Sequence, residues 1–166
     1  MSIAAQIIEI ASKREIKITT AESCTGGMVS AALTDIAGSS AVFERGFVTY
    51  SNPAKAEMLG VSLGSLQEHG AVSEPVAREM AIGALKAARA DLAVSISGIA
   101  GPGGSEHKPE GRVCFAIAFE GADGALIAQS ETVEFGARGR AAVREAARDH
   151  ALTLIFNAPL LKTAPL

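Results

Sequence analysis

Four side chains in this sequence, Ser23, Lys55, Tyr50 and Ser40, are of types and spacings that could make and break a covalent bond. A serine hydroxyl is a weak nucleophile until a base takes its proton, and a lysine amine serves as that base once its surroundings leave it partly neutral. Lys55 follows Asn52 and Pro53, which read as the cap and first position of a short helix from Asn52 to Leu59. The positive end of a helix dipole disfavours an ammonium ion there, and partial burial would lower its pKa further. Tyr50, the only tyrosine, stands just upstream, where it could relay a proton or orient the amine. The plainer alternative is a solvated helix lysine beside a packing tyrosine.

Two serines compete as the nucleophile. Ser23 lies in Thr20-Ala21-Glu22-Ser23-Cys24-Thr25-Gly26-Gly27, a glycine-terminated turn between an expected strand and an expected helix. Backbone N–H groups at such a junction lack helical partners, so Thr25, Gly26 and Gly27 could face a phosphate or an oxyanion. Ser40, in Gly38-Ser39-Ser40, comes after the first crossover helix. Simple topology sends it to the opposite edge of the sheet unless the chain folds back or a neighbouring subunit supplies it, so Ser23 is favoured. Glu22 could orient Lys55, bind a ribose hydroxyl or cap a helix. A second glycine-rich loop, Ser97 to Ser105, offers Gly98 and Gly101 for close backbone approach to a ligand, though it carries neither P-loop nor dinucleotide spacing. Arg140 and Arg144 open the last expected helix, where they could meet an anion or form a solvated face.

Apolar runs alternating with segments of helical period must position these groups. Strands are expected at Ile16–Ala21, Phe47–Ser51, Asp91–Ser97, Arg112–Phe119 and Ala125–Val133, the last two joined by the hairpin signal Gly121-Ala122-Asp123-Gly124. Helices are expected at Met1–Glu15, Met28–Ile36, Asn52–Leu59, Glu74–Arg89 and Arg140–Phe156, with Ser73 as a cap ahead of Glu74 and Pro75. The pattern predicts an α/β sandwich on a mixed sheet, parallel in its first part and carrying a late antiparallel pair. Loops after parallel strands line the ligand-binding edge, which puts the Ser23, Lys55 and Gly98 segments together.

The 166 residues suit one domain, and 48% hydrophobic content with 4% aromatics implies a core of Ala, Ile, Leu and Val. A net charge of −3 argues against broad binding to nucleic acid or anionic membrane. The amphipathic start carries Glu9 and does not read as a signal peptide, and no run is long enough to span a bilayer, so a cytoplasmic protein is expected. Cys24 and Cys114 have no CxxC spacing and the three His are scattered, so neither metal nor cofactor is expected. Cys114 reads as a small buried hydrophobe.

Taken together, Ala21-Glu22-Ser23-Cys24-Thr25-Gly26-Gly27, Gly38-Ser39-Ser40, Phe47-Val48-Thr49-Tyr50-Ser51-Asn52 with Lys55, Gly70-Ala71-Val72-Ser73 and Ser97-Gly98-Ile99-Ala100-Gly101-Pro102 resemble the CinA C-terminal domain family over almost the whole chain. The resemblance implies a three-layer α/β/α domain with a five-stranded, mostly parallel mixed sheet. It implies a metal-free deamidase of nicotinamide mononucleotide, using serine and lysine on a small-molecule nucleotide, in a homo-oligomer. It carries function to Ser23, Thr25, Ser40, Tyr50 and Lys55, with Arg140 and Arg144 matching the late arginine motif. The chain departs from the family at Arg138-Gly139-Arg140, where Gly-Asp-Arg is usual, and at Arg112, where Thr is common. A non-catalytic nucleotide-binding module is the alternative.

Overall fold

The computed structural model describes residues 1–105 and 107–162. Strand β1 (Ile18–Glu22) pairs in parallel with β2 (Phe43–Val48) on one side and β3 (Leu92–Gly98) on the other. Antiparallel β4 (Arg112–Glu120) and β5 (Leu126–Glu134) complete a five-stranded sheet of order β2-β1-β3-β4-β5. Four strands therefore run in one sense and β4 runs against them, while the ladders divide evenly between parallel and antiparallel. Antiparallel pairing thus begins one strand earlier than the sequence pattern suggests, at β3 and β4.

The two sheet faces are built from residues of different size. On β4, Val113, Phe115, Ile117 and Phe119 join the core under α1 (Ile3–Lys13), α2 (Met28–Thr34), α6 (Arg140–Asn157) and α7 (Pro159–Lys162). Their neighbours Cys114, Ala116 and Ala118 face α5 (Glu74–Ala88), whose own contributions include Ala77, Ala81 and Ala84. The period of two divides the strand between the faces, and small residues on both partners let α5 approach closely. The layer holding α5 also contains α3 (Asn52–Leu59) and α4 (Leu63–His69).

Several expected boundaries move. β1 begins at Ile18, because Ile16 N–H still donates to Ala11 O and Glu15 adopts φ 57° as the chain leaves α1. β2 begins at Phe43 and ends at Val48, against the expected Phe47–Ser51. As an edge strand, its Glu44-Arg45-Gly46 stretch is exposed and shows none of the apolar alternation that marks a covered strand. Ser51, not Asn52, caps α3, its hydroxyl accepting from Ala54 N–H at 3.1 Å. Ser73 precedes α5 as expected, but its hydroxyl donates to Gly70 O at 2.8 Å and not to the helix. The short α4, capped by Ser62, lies outside the expected elements, while Ser39 and Ser40 form a 3₁₀ turn (Ser39–Ala41) after α2, as the helix-terminating reading of that segment has it.

Helix α3 is seated on α5 through Gly83, where an added Cβ would lie 2.0 Å from the backbone oxygen of Leu59. Alanine would favour the helix intrinsically by up to about 1 kcal/mol. The contact is with backbone, which cannot swing aside, so overpacking of about 1–3 kcal/mol should win. Gly83→Ala is expected to lower stability in urea melts and to slow turnover, because it displaces the helix that carries Lys55.

Candidate active site

Lys55 projects from α3 to the carboxyl ends of β1 and β2 and is 1% exposed. Its Nζ lies 3.0 Å from Ser23 Oγ, 2.8 Å from Thr49 O and 3.4 Å from Tyr50 O. Burial pushes its pKa from the ordinary 10.5 down to about 8. An ammonium fills this cradle by donating to all three oxygens. A neutral amine fills it too: two N–H bonds to the carbonyls leave the lone pair facing Ser23 Oγ–H. Both protonation states are therefore held in one geometry, as proton transfer requires. The solvated-lysine alternative is excluded.

Ser23 is 8% exposed, and its N–H donates to Ile96 O at 2.9 Å, which fixes the loop to the end of β3. A cleft of about 350 Å³ opens over the pair, lined by Ser23, Cys24, Tyr50, Asn52, Lys55 and Arg140, by Ala71 and Val72, and by the loop from Ser97 to Ser105. Gly98 and Gly101 are among these lining residues, so the strand-end rule brings the expected loops to one edge. Cys24 shares the cleft, but burial raises its thiol to about 12, so it remains protonated and is no rival nucleophile.

Other expected residues take different places. Glu22 is wholly buried and caps α2, its carboxylate accepting from Val29 N–H at 2.9 Å, Ser30 N–H at 3.0 Å and Ser30 Oγ at 2.7 Å. The capping alternative describes it, and it occupies the helix N-terminus that a phosphate would need. Gly26 N–H donates to Ser23 O and Met28 N–H to Thr25 O, which closes much of the first loop to an oxyanion. Thr25 is fully buried, with its hydroxyl unpaired among the described residues. Gly26 and Gly27 adopt φ 57° and 107°, so their role is to let the turn form. The N–H groups of Cys24, Ala100 and Gly101 are among those of the cleft-lining residues that donate to no other described residue, which makes them candidate oxyanion donors.

Tyr50 meets Lys55 through its carbonyl, while its phenol, on a residue 58% exposed, accepts from Arg140 Nη2 at 2.7 Å. Arg140 also donates through Nη1 to Gly101 O at 2.6 Å, bridging the two loops at the cleft rim. Arg144, one turn on, donates to Cys24 O at 3.0 Å and Thr25 O at 3.3 Å and does not line the cleft. Ser40 is exposed beside the start of β2, at the strand end opposite Lys55, so the chain by itself does not bring the two together.

The sequence profile of the CinA C-terminal domain matches residues 1–158. The chain is 56% identical over 164 residues to nicotinamide-nucleotide amidohydrolase PncC of Escherichia coli K12, covering 98% of this chain and 96% of that protein. It is 52% identical over 147 residues to a putative competence-damage inducible protein of Symbiobacterium thermophilum, covering 86% of this chain and 34% of that one. Among solved structures, competence/damage inducible protein CihA of Agrobacterium tumefaciens superposes with a TM-score of 0.86 at 45% identity, covering 93% and 92% of the two chains. A CinA superfamily protein of Escherichia coli gives 0.87 at 34% identity, covering 93% and 87%.

Proposed function

Because the chain belongs to the CinA C-terminal domain family, we propose that it is an amidohydrolase that converts nicotinamide mononucleotide to nicotinic acid mononucleotide and ammonia, with Ser23 as nucleophile and Lys55 as base. The observation that carries the reading is the buried Lys55 amine, held 3.0 Å from Ser23 Oγ with a pKa of about 8.

Lys55 Nζ takes the proton of Ser23, and the Ser23 oxygen bonds to the carboxamide carbon. The oxyanion rests on N–H groups of Cys24 and the Ala100–Gly101 segment, a two-loop arrangement in which one donor follows the nucleophile. The C–N bond breaks as Lys55 returns its proton to the leaving amine, which departs as ammonia. Water then loses a proton to Lys55 and adds to the ester carbon. The Ser23–carbon bond breaks, Ser23 recovers its proton and the acid is released. Thr49 O and Tyr50 O keep the amine aimed throughout.

Arg140 serves the substrate phosphate. Its guanidinium lines the cleft and, among the described residues, contacts only neutral oxygens, a phenol and a carbonyl, so its charge is available to an anion. Incubation of the purified protein with nicotinamide mononucleotide should release ammonia and nicotinic acid mononucleotide in equal amounts. Arg140→Ala should raise KM about tenfold or more with a smaller change in kcat. Binding of the mononucleotide without ammonia release would overturn the hydrolase in favour of a binding module.

A further inference from the structure

We infer that Arg144 is a positioning residue for the nucleophile loop and makes no contact with substrate. The inference rests on the hydrolase reading above and assigns a separate task to each of two arginines that the sequence pairs. Both project from the first two turns of α6, yet only Arg140 lines the cleft. Arg144 stands behind the loop, with Nε donating to Cys24 O and Nη2 to Thr25 O. Those are the first two carbonyls after the nucleophile, so the fork edge that would grip a phosphate is already occupied.

Inside the loop, Gly26 N–H on Ser23 O and Met28 N–H on Thr25 O close the turn, and Arg144 ties that turn to α6. The loop's ends are fixed by Ser23 N–H on Ile96 O and by the Glu22 carboxylate on the first turn of α2, and between them lie two glycines in the left-handed region. An added Cβ on Gly26 would lie 3.4 Å from Arg144 Nη2, so the guanidinium is packed directly on the turn. A trans peptide points its C=O and the following N–H in opposite directions, so anchoring the Cys24 and Thr25 carbonyls sets both peptide planes. Those planes are the Cys24–Thr25 and Thr25–Gly26 peptides, and the second carries the Gly26 N–H that donates to Ser23 O, so the clamp reaches the nucleophile through the turn. Arg144 reaches the loop from the α6 side of the sheet, whereas Lys55 comes from the α3 side. Among the described residues Arg144 has no carboxylate partner, so its charge acts on the carbonyl dipoles alone.

Arg144→Ala and Arg144→Lys should be compared by kcat and KM for nicotinamide mononucleotide and by the rate at which a serine-directed fluorophosphonate labels Ser23. For the alanine variant, kcat should fall about tenfold to a hundredfold with KM within about threefold, because an oxyanion donor and the nucleophile are misplaced. Labelling should slow in parallel, and lysine, which keeps one donor on the loop, should restore part of both. A raised KM with unchanged kcat, or unchanged labelling in the alanine variant, would overturn the inference. If the wild-type protein releases no ammonia, the deamidase reading fails by itself, and the labelling rates still decide whether Arg144 sets the loop. Should the alanine variant not fold, Arg144→Gln replaces it in both measurements.

Discussion

Ser23→Ala should reduce ammonia release from nicotinamide mononucleotide by about ten-thousand-fold or more, and Lys55→Ala should do nearly the same. In the proposed mechanism the two side chains, 3.0 Å apart, act as one proton-transfer unit, and members of such a unit are strongly non-additive when removed. The double variant should consequently be no slower than the worse single variant. Lys55→Arg should be no better, because a guanidinium stays protonated and cannot accept the serine proton. Single-turnover measurement at pH 8, with chromatographic quantification of nicotinic acid mononucleotide, checks each arm. Turnover that survives Ser23→Ala and is lost in Ser40→Ala would transfer the nucleophile to Ser40. Since Ser40 is exposed at the far end of β2, that outcome would require a second chain to deliver it.

What could be read from residue types alone follows from how local the relevant physics is. Ser23 and Lys55 were legible because Ser23 lies between β1 and α2 and Lys55 lies in the first turn of α3 just after β2, and parallel strands bring such junctions to one edge. The cradle of Thr49 and Tyr50 carbonyls was not legible, since a backbone oxygen has no signature in sequence. Tyr50 accordingly contributes a carbonyl to the amine and lends its phenol to Arg140. Arg140 and Arg144 look equivalent as charges one turn apart, yet one turn of α6 decides which reaches the cleft and which lies behind the loop. Glu22 had several plausible tasks, and the unpaired N–H groups of α2 settled among them, because a wholly buried carboxylate needs donors. Capping by Ser51 in place of Asn52 was a contest between adjacent residues of similar propensity. The start of the edge strand β2 was not legible because its Glu44-Arg45-Gly46 stretch is exposed and lacks the apolar alternation that marks a covered strand.

Below pH 8, kcat/KM should fall about tenfold for each pH unit, to roughly a thousandth of its plateau near pH 5, and should level off above pH 8. The amine must be neutral to accept the serine proton, and burial places its pKa at about 8, so the active fraction grows with pH through that value. The same desolvation has a thermodynamic counterpart of determined sign. Above the ordinary 10.5 the amine is neutral in both folded and unfolded chains and burial carries no charge penalty. As pH falls from 10.5 to about 8, the unfolded chain binds a proton that the folded chain does not, and stability drops by about 3 kcal/mol. Below about 8 both states are protonated and this contribution is constant. Lys55→Met removes the titration while keeping the side-chain length, so the stability of wild type minus variant should rise between pH 8 and 10.5 and stay flat from pH 6 to 7.5. Urea melts of the two proteins across this range check this. A kinetic midpoint near 8 without that alkaline rise would mean that the group titrating in the rate is not the buried amine. Coincidence of the two would tie the proton that limits catalysis to the desolvation built into α3 and the end of β2.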